Sequence, residues 1–297
     1  GRLSSETRPD GSTQTYTYNA NGQLTQTVDK TAEGSIINEY SYEYDADGNV
    51  ITENSANEPN ANSIAIPDRD MTYSSANRLT VFNNTAISYD ADGNMLNTPL
   101  GDKWGVLTYD SQNMLTDVVV SGGAITAYGY DAEGNRTLKT ENGITTTYVT
   151  DPNAALSQVL MSTKNGETTY YIYGLGLIGQ ENSEGYKTYH YDYRGSTTAI
   201  TDINGNVTDR MYYDPYGSIL TRTGTTDTPF LYVGEYGVET DYSGLYYMRA
   251  RYYNPQIQRF VNVDPVRDNN NWYAYTNGNA ISNIDPTGNM DWSTQSW

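Results

Sequence analysis

The chain contains no cysteine and very little histidine or phenylalanine. Its 297 residues include one histidine and three phenylalanines. The absence of cysteine excludes disulfides, zinc–thiolate sites and cysteine nucleophiles. No run of about 18 apolar residues occurs, so the sequence predicts no membrane-spanning helix. No residue pattern indicates a cofactor.

A signal peptide is not recognisable at the start of the chain. The opening stretch, GRLSSETRPDG, reads as the interior of a longer polypeptide. We therefore expect the sequence to be a fragment, with further segments before it and after it.

Positive charge is scarce as well. The chain has 17 Lys and Arg against 36 Asp and Glu, which gives a net charge of -19. A surface this acidic repels nucleic acid and anionic membranes. We predict no nucleic-acid partner.

Tyrosine, by contrast, is abundant, with 30 copies. Large aliphatic residues are few, a composition that with high net charge is typical of disorder. Tyrosine favours β-strands and packs its ring while its hydroxyl reaches water or a partner. We therefore predict an ordered β protein with thin, wet packing and solvent near both faces of its sheet.

One phrase recurs along the chain. YDADGNV begins at Tyr44, YDADGNM at Tyr89 and YDAEGNR at Tyr130, and the last residue of the phrase varies. Asp binds the backbone two residues on, and Gly and Asn tolerate positive φ, so the phrase predicts a turn. Its Tyr ends one strand and its last residue begins the next. Looser copies begin at Tyr18, Tyr73, Tyr109, Tyr191 and Tyr213.

A calcium loop is the alternative interpretation of these acidic phrases. An EF-hand loop needs its Gly at position 6 and a Glu at position 12. The phrase at Asp45 and the segment at Asp202 both place Gly at position 4 of the loop. The spacing therefore favours turns over metal sites, and we predict no metal.

The later part of the chain carries longer motifs. These are YHYDYRGSTTAITDINGNV at 189–207, GLYYMRARYYNPQIQRFVNVDP at 244–265 and NNWYAYTNGNAISNIDPTGN at 270–289. Together with the repeats, this ordered run resembles the YD repeats and core of Rhs proteins and of the C components of Tc toxins.

The resemblance implies an all-β fold of stacked antiparallel hairpins. They would form a curved, spiralling sheet, part of a hollow shell, with a C-terminal plug segment. We expect YD-repeat hairpins over 1–150, later repeats and core repeats over 151–261, and the plug over 262–297. The implied partners are an enclosed C-terminal toxin domain and further YD repeats upstream, in a secreted or surface-delivered bacterial protein. From the repeat number, we expect an open, strongly curved sheet.

Two aspartates are the candidate catalytic residues. The resemblance implies aspartyl-type self-cleavage just after the final Asp-Pro-x-Gly motif, here near Asn289, with Asp264 and Asp285 at the two Asp-Pro positions. Two carboxylates that share a site push their pKa values apart, which suits one to act as base and the other as acid. Asp268 is the nearest extra carboxylate. His190 lies in a predicted strand between two tyrosines, where a structural role is favoured.

The motif departs from the self-cleaving pattern at several positions. Val263 stands where self-cleaving relatives can carry Arg, and Arg267 replaces a Gly. Ala274 lies where some members supply a second acidic residue, and Asn289 replaces a Leu before the cut. These departures favour the alternative in which both aspartates cap turns before proline.

Three functions therefore stay open from the sequence. The first is a structural container for a toxin, which the plug-like C-terminal part favours. The second is a cell-surface adhesion or glycan-binding module, since exposed tyrosines stack on sugars. The third is an autoprotease whose only substrate is its own chain.

Overall fold

The computed structural model describes residues 2–56, 68–267 and 270–293. Within these ranges the protein is almost entirely antiparallel β-sheet, which confirms the predicted fold class. The helical elements there are two short 3-10 turns, Gly234–Tyr236 and Thr276–Gly278.

The first part of the chain forms two small sheets in sequential order. The five-stranded N-terminal sheet contains β1 (Ser5–Thr7), β2 (Thr13–Tyr18), β3 (Leu24–Lys30), β4 (Ile36–Tyr44) and β5 (Val50–Ser55). The three-stranded sheet contains β6 (Met71–Tyr73), β7 (Leu79–Phe82) and β8 (Thr85–Ala86).

The main sheet has 13 strands, each paired with its sequence neighbour. They are β9 (Asn97–Leu100), β10 (Lys103–Tyr109), β11 (Leu115–Val120), β12 (Ile125–Tyr130), β13 (Arg136–Glu141), β14 (Ile144–Asp151), β15 (Gln158–Lys164), β16 (Glu167–Tyr173), β17 (Leu177–Asn182), β18 (Gly185–Tyr191), β19 (Thr197–Asp202), β20 (Val207–Tyr213) and β21 (Ile219–Thr223).

The last part of the chain forms a separate core segment, which we define as residues 228–293. It contains a four-stranded sheet and a two-stranded pair. Their strands are β22 (Glu239–Thr240), β23 (Tyr246–Met248), β24 (Arg251–Asn254) and β25 (Arg259–Phe260), then β26 (Asn283–Ile284) and β27 (Trp292–Ser293).

The repeated phrase forms the turns that its residues predict. Tyr44 ends β4 and Val50 begins β5. Between them the Asp45 carboxylate accepts hydrogen bonds from the backbone N–H groups of Asp47 (3.0 Å) and Asn49 (2.8 Å). Gly48 has a φ of +89°, a region that glycine enters without steric cost. Because their oxygens accept these bonds, the repeat aspartates serve the backbone as turn residues.

The repeat tyrosines make a contact that the sequence did not predict. At five of the copies the hydroxyl donates to the carbonyl of the residue that begins the outgoing strand one hairpin earlier: Tyr44 to Leu24 (2.5 Å), Tyr89 to Leu79 (2.9 Å), Tyr130 to Leu115 (2.6 Å), Tyr191 to Leu177 (2.5 Å) and Tyr213 to Thr197 (2.8 Å). Tyr109 donates instead to the Val261 carbonyl of the core segment, and Tyr73 to Met71 Sδ. Phenylalanine has no donor for this bond. The hydroxyl therefore links successive hairpins, which explains why the chain uses Tyr instead of Phe.

The expectation of wet packing on both faces is wrong for the inward face of the main sheet. Leu107 and Val118 of that face are buried in one cluster with Tyr252, Ile257 and Val261 of the core segment. A second cluster joins other main-sheet strands to the start of the core segment through Tyr189, Ile200, Met211, Phe230 and Leu231. The core segment covers the sheet face with apolar and aromatic side chains, so this interface excludes water.

The two edges of the main sheet both reach the core segment. Asn254 Nδ2 donates to Thr98 Oγ1 (2.8 Å) and to the Pro99 carbonyl (2.7 Å), both in edge strand β9. Tyr246 donates to the Gly217 carbonyl (2.5 Å), close to the opposite edge strand β21. The predicted strong curvature is therefore present, and the core segment contacts the sheet at or near both of its edges.

Glu235 lies where the N-terminal sheet approaches the core segment. Its shifted pKa leads us to predict that the stability of the fold depends on pH. Burial, and next the charge of Glu6, raise the pKa of Glu235 to about 8, although Arg8 opposes the shift. The folded state then holds a proton that the unfolded chain releases above its ordinary pKa of 4.5. This stabilisation is complete below that value and is lost as the pH rises through about 8.

As the pH rises from roughly 5 to 8, we expect the titration of Glu235 to lower the free energy of unfolding by up to about 1.4 kcal/mol per pH unit. Glu235→Gln should remove that slope in urea unfolding measured at several pH values. Glu184→Gln, on an exposed hairpin turn, is the matched control and should keep it. An unchanged slope in Glu235→Gln would contradict the assignment.

Candidate self-cleavage site in the core segment

The histidine is part of a buried contact between two sheets. His190 is fully buried, and its Nε2 lies 2.9 Å from Thr201 Oγ1. Its Nδ1 lies 3.3 Å from Arg8 Nη1 and 3.6 Å from Asp29 Oδ1, on the N-terminal sheet. These contacts agree with the structural role that the sequence favours.

Asp264 and Asp285 each cap a turn that begins with Asp-Pro. Asp264 Oδ1 accepts from the backbone N–H groups of Val266 (2.8 Å) and Arg267 (3.3 Å). Asp285 Oδ1 accepts from the hydroxyl of Thr287 (2.9 Å) and from the backbone N–H groups of Asn289 and Met290 (3.2 Å each). Both residues are at least 98% buried, since 2% of Asp264 and 1% of Asp285 are exposed. The turn-capping alternative therefore has direct geometric support.

A single arginine brings the two carboxylates together. Arg251 Nη2 lies 3.5 Å from Asp264 Oδ2 and 3.5 Å from Asp285 Oδ2. The same guanidinium donates to the Trp272 carbonyl (3.1 Å) and lies 3.6 Å from the centroid of the Phe260 ring. One positive charge thus faces two buried carboxylates, which leaves this cluster with a net negative charge when both are ionised.

The protonation of Asp285 depends on this balance. Burial raises the pKa of Asp285 above its ordinary value, and the Arg251 charge and the hydrogen bonds from Thr287, Met290 and Asn289 offset only part of the shift. A carboxyl group whose pKa is raised in this way keeps its proton to higher pH. Asp285 is therefore suited to act as an acid.

Asp264 also lines a cavity of about 580 Å³ between the tips of three repeat turns and the core segment. The cavity is large enough to hold water beside this carboxylate. Its lining comprises Asp92, Asn94, Gln112, Asn113, Met114, Glu133, Gly134, Asn135, Ser157, Tyr247, Arg249, Ala250, Asn262, Val263, Asp264, Pro265 and Arg267.

The departures from the self-cleaving pattern have structural explanations at two positions. Arg267 lies with its guanidinium 4.9 Å from the Trp272 ring centroid, and its backbone binds Asp264. Asn289 presents its backbone N–H to Asp285 Oδ1, a contact that does not depend on its side chain. Asp268, the extra carboxylate named from the sequence, lies outside the described residues.

The sequence did not identify Arg251 as part of this site. It lies 13 positions before Asp264 and 34 before Asp285 in chain order, and no local spacing rule joins an arginine to carboxylates that far away. The one available signal was its place inside the long motif at 244–265, which carries several other polar residues.

Two observations concern membranes and metal ions. The residues that the structure describes contain no helix long and apolar enough to cross a membrane. Across the same residues, no three His, Cys, Asp or Glu side chains come together as metal ligands.

Known proteins are similar to this chain in sequence and in fold. The sequence profile of the Teneurin YD-shell family matches residues 5–289. The tRNA3(Ser)-specific nuclease WapA of Bacillus spizizenii is 33% identical over 287 residues, covering 91% of this chain and 12% of the nuclease. The double-stranded DNA deaminase toxin A of Burkholderia cenocepacia is 27% identical over 259 residues, covering 73% of this chain and 18% of the toxin. The chain thus spans a small part of these curated relatives.

A solved structure shows the same fold. The crystal structure of TcdB2-TccC3-Cdc42 matches with a TM-score of 0.67 at 18% identity, covering 96% of this chain and 19% of that chain. At this identity the likeness concerns the fold alone. The predicted relation to Rhs proteins and Tc toxin shells is confirmed by the profile and the fold, and the chain belongs to the Teneurin YD-shell family.

Proposed function

We propose that this chain is part of the shell of a toxin protein, in which the YD-repeat sheet encloses a C-terminal toxin domain located after the core segment. The observation that carries the proposal is the packing of the core segment against the inward face of the main sheet. A chain that passes inside a curved sheet before it continues is placed to deliver its next domain to the enclosed side.

Further repeats would supply the enclosed volume. Two cavities lined by described residues have volumes of about 580 and 550 Å³, the size of small-molecule sites and far below a protein domain. The core segment packs against the inward face of the main sheet. We therefore assign these residues to one end of a larger shell, with additional YD repeats upstream.

The relatives support a container of this kind. A nuclease and a DNA deaminase toxin, two different enzymes by name, both contain a region similar to this chain. A shared shell joined to different enzymes explains that combination. Secretion or delivery from the bacterial surface is part of the same proposal. Glycan binding through exposed tyrosines stays a prediction.

Self-cleavage is the second proposed function, and a specific contact favours it. Asp285 Oδ1 lies 3.2 Å from the backbone nitrogen of Met290, the leaving nitrogen if the bond after Asn289 is cut. Water beside Asp264 would lose a proton to that carboxylate and attack the Asn289 carbonyl carbon. Protonated Asp285 would donate to the Met290 nitrogen as the C–N bond breaks. The products are a carboxylate at Asn289 and an amine at Met290.

The container proposal predicts protection of the attached domain. In a natural polypeptide that contains these residues, the domain after Trp297 should resist a protease that digests the same domain when it is expressed alone. Breaking the contact between core segment and main sheet with Tyr252→Ala, a buried residue of their shared cluster, should remove the protection. Tyr170→Ala, on an exposed strand position, is the control. Equal digestion of the free and the attached domain would contradict enclosure.

A further inference from the structure

We propose that Arg249, Ala250 and Arg251 form a clamp that holds the segment before the predicted cleavage point by three consecutive carbonyl groups, with Arg249 as a positioning residue. This inference rests on the proposed self-cleavage for its function. The contacts themselves do not depend on it.

The clamp is a continuous series of hydrogen bonds. Arg249 Nη1 donates to the Pro286 carbonyl (2.5 Å), and the backbone N–H of Ala250 donates to the Thr287 carbonyl (3.2 Å). Arg251 Nε donates to the Gly288 carbonyl. Three neighbouring residues thus bind three neighbouring carbonyls in order, which sets the register of one segment against the other.

Gly288 allows this close approach. A Cβ on Gly288 would lie 2.4 Å from the Met248 carbonyl oxygen and 2.9 Å from the Arg251 backbone nitrogen. Its φ of +69° is also in the region that favours glycine. The segment can therefore lie directly against the clamp only with glycine at this position.

Arg249 joins three separate parts of the fold. Besides Pro286, it donates to the hydroxyl (3.1 Å) and carbonyl (2.7 Å) of Ser157, beside main-sheet strand β15, and to the Tyr236 carbonyl (2.7 Å). No described carboxylate lies within ion-pair distance of it. Burial lowers the pKa of Arg249. A half-buried guanidinium that only carbonyl and hydroxyl oxygens satisfy is a costly arrangement, which points to a positional role.

Arg251 has a second task, since it also contacts Asp264 and Asp285. The clamp therefore fixes the carboxylates and the Asn289–Met290 bond relative to one another. Misplacement of reacting groups by about 1 Å costs on the order of 100-fold in rate. Arg249 forms an ion pair with neither carboxylate, and its charge interacts with that of Asp285 only at longer range, so its loss should act mainly through position.

The two arginines predict different kinetic signatures in a chain extended past Trp297. Arg249→Gln should slow cleavage at least about tenfold and move the midpoint of its pH profile less than Arg251→Gln does, and Arg249→Lys should recover part of the rate. Arg251→Gln should move the midpoint to higher pH, because the Arg251 charge lowers the pKa of Asp285. Arg222→Gln is the matched control, since Arg222 also donates to a backbone carbonyl, that of Thr226 (2.7 Å).

A second measurement tests the clamp without cleavage. Hydrogen–deuterium exchange of a peptide spanning 285–290 should be at least about tenfold faster in Arg249→Gln, with peptides of β11 and β12 unchanged. Unchanged exchange would overturn the clamp, and so would a uniform rise across the whole chain. An uncleaved parent with the local rise would refute self-cleavage and uphold the clamp. A cleaving parent with normal Arg249→Gln kinetics would overturn the positioning role.

Discussion

Asp285→Asn and Asp264→Asn are each expected to stop cleavage in a chain extended past Trp297 with an inert reporter. Asn keeps the size of Asp and much of its hydrogen bonding but exchanges no proton near neutral pH. General acid–base catalysis contributes about 10²- to 10⁴-fold, so each variant should be slower by at least about 100-fold. Intact-mass measurement should place the parent's cut after Asn289.

Asp202→Asn is the matched control for those variants. Asp202 Oδ1 accepts from the backbone N–H groups of Asn204 and Asn206 (2.9 Å each), the same capping pattern on an exposed turn. The Asp202→Asn variant should therefore cleave at the same rate as the parent. If the aspartates only cap turns, the parent stays intact and each substitution costs about 0.5 to 2 kcal/mol of stability. Cleavage that survives both substitutions would show that other residues are responsible.

Arg136→Met is expected to cause the largest loss of stability. Arg136 is buried on β13, and its Nη2 lies 2.7 Å from Glu239 Oε2. Its Nη1 lies 3.1 Å from the Asp241 carboxylate, which Lys139 also contacts at 3.1 Å. The guanidinium lies 4.3 Å from the Tyr247 ring centroid. This cluster joins the main sheet to the core segment.

Removing one partner of a buried ion pair leaves an uncompensated charge, which costs about 3 to 5 kcal/mol. Burial raises the pKa of Asp241, but the charges of Arg136 and Lys139 outweigh it and hold that pKa below the ordinary value. The loss in Arg136→Met should therefore be full near neutral pH and should shrink as the pH falls below 3.8, the ordinary pKa of Asp, where Asp241 begins to be protonated in the parent too. Urea unfolding at pH 7 and at a series of pH values below 3.8 measures both effects.

Lys164→Met is the control for the Arg136 variant. Lys164 pairs with Asp227 at 2.9 Å, but both side chains are well exposed, 40% and 78%. Exposed pairs contribute about 0 to 1 kcal/mol. Adding Glu239→Gln to Arg136→Met should recover part of the loss, since it removes one stranded charge. Equal losses in Arg136→Met and Lys164→Met would show that the cluster does not anchor the core segment.

Local features of this protein were readable from the sequence alone. The turn at Asp45, with its tyrosine before and its apolar residue after, depends on bonds between residues at most five positions apart. Asx hydrogen bonds and glycine's access to positive φ act over that distance, so composition and spacing determine them. The aspartates Asp264 and Asp285 were found through motif resemblance, and their capping role results from the same local chemistry.

The tertiary structure alone decided which distant groups meet. Arg136 closes the third copy of the repeat at a position where Val50 and Met95 are apolar, and its partners lie more than 100 residues away. Arg249 and Arg251 reach the segment at 286–288 only because the core segment folds back on itself inside the main sheet. The high tyrosine content predicted a sheet with solvent near both faces, but the core segment covers one face of the main sheet. Charge pairing and burial depend on which surfaces come into contact, and no periodicity along the chain encodes those contacts.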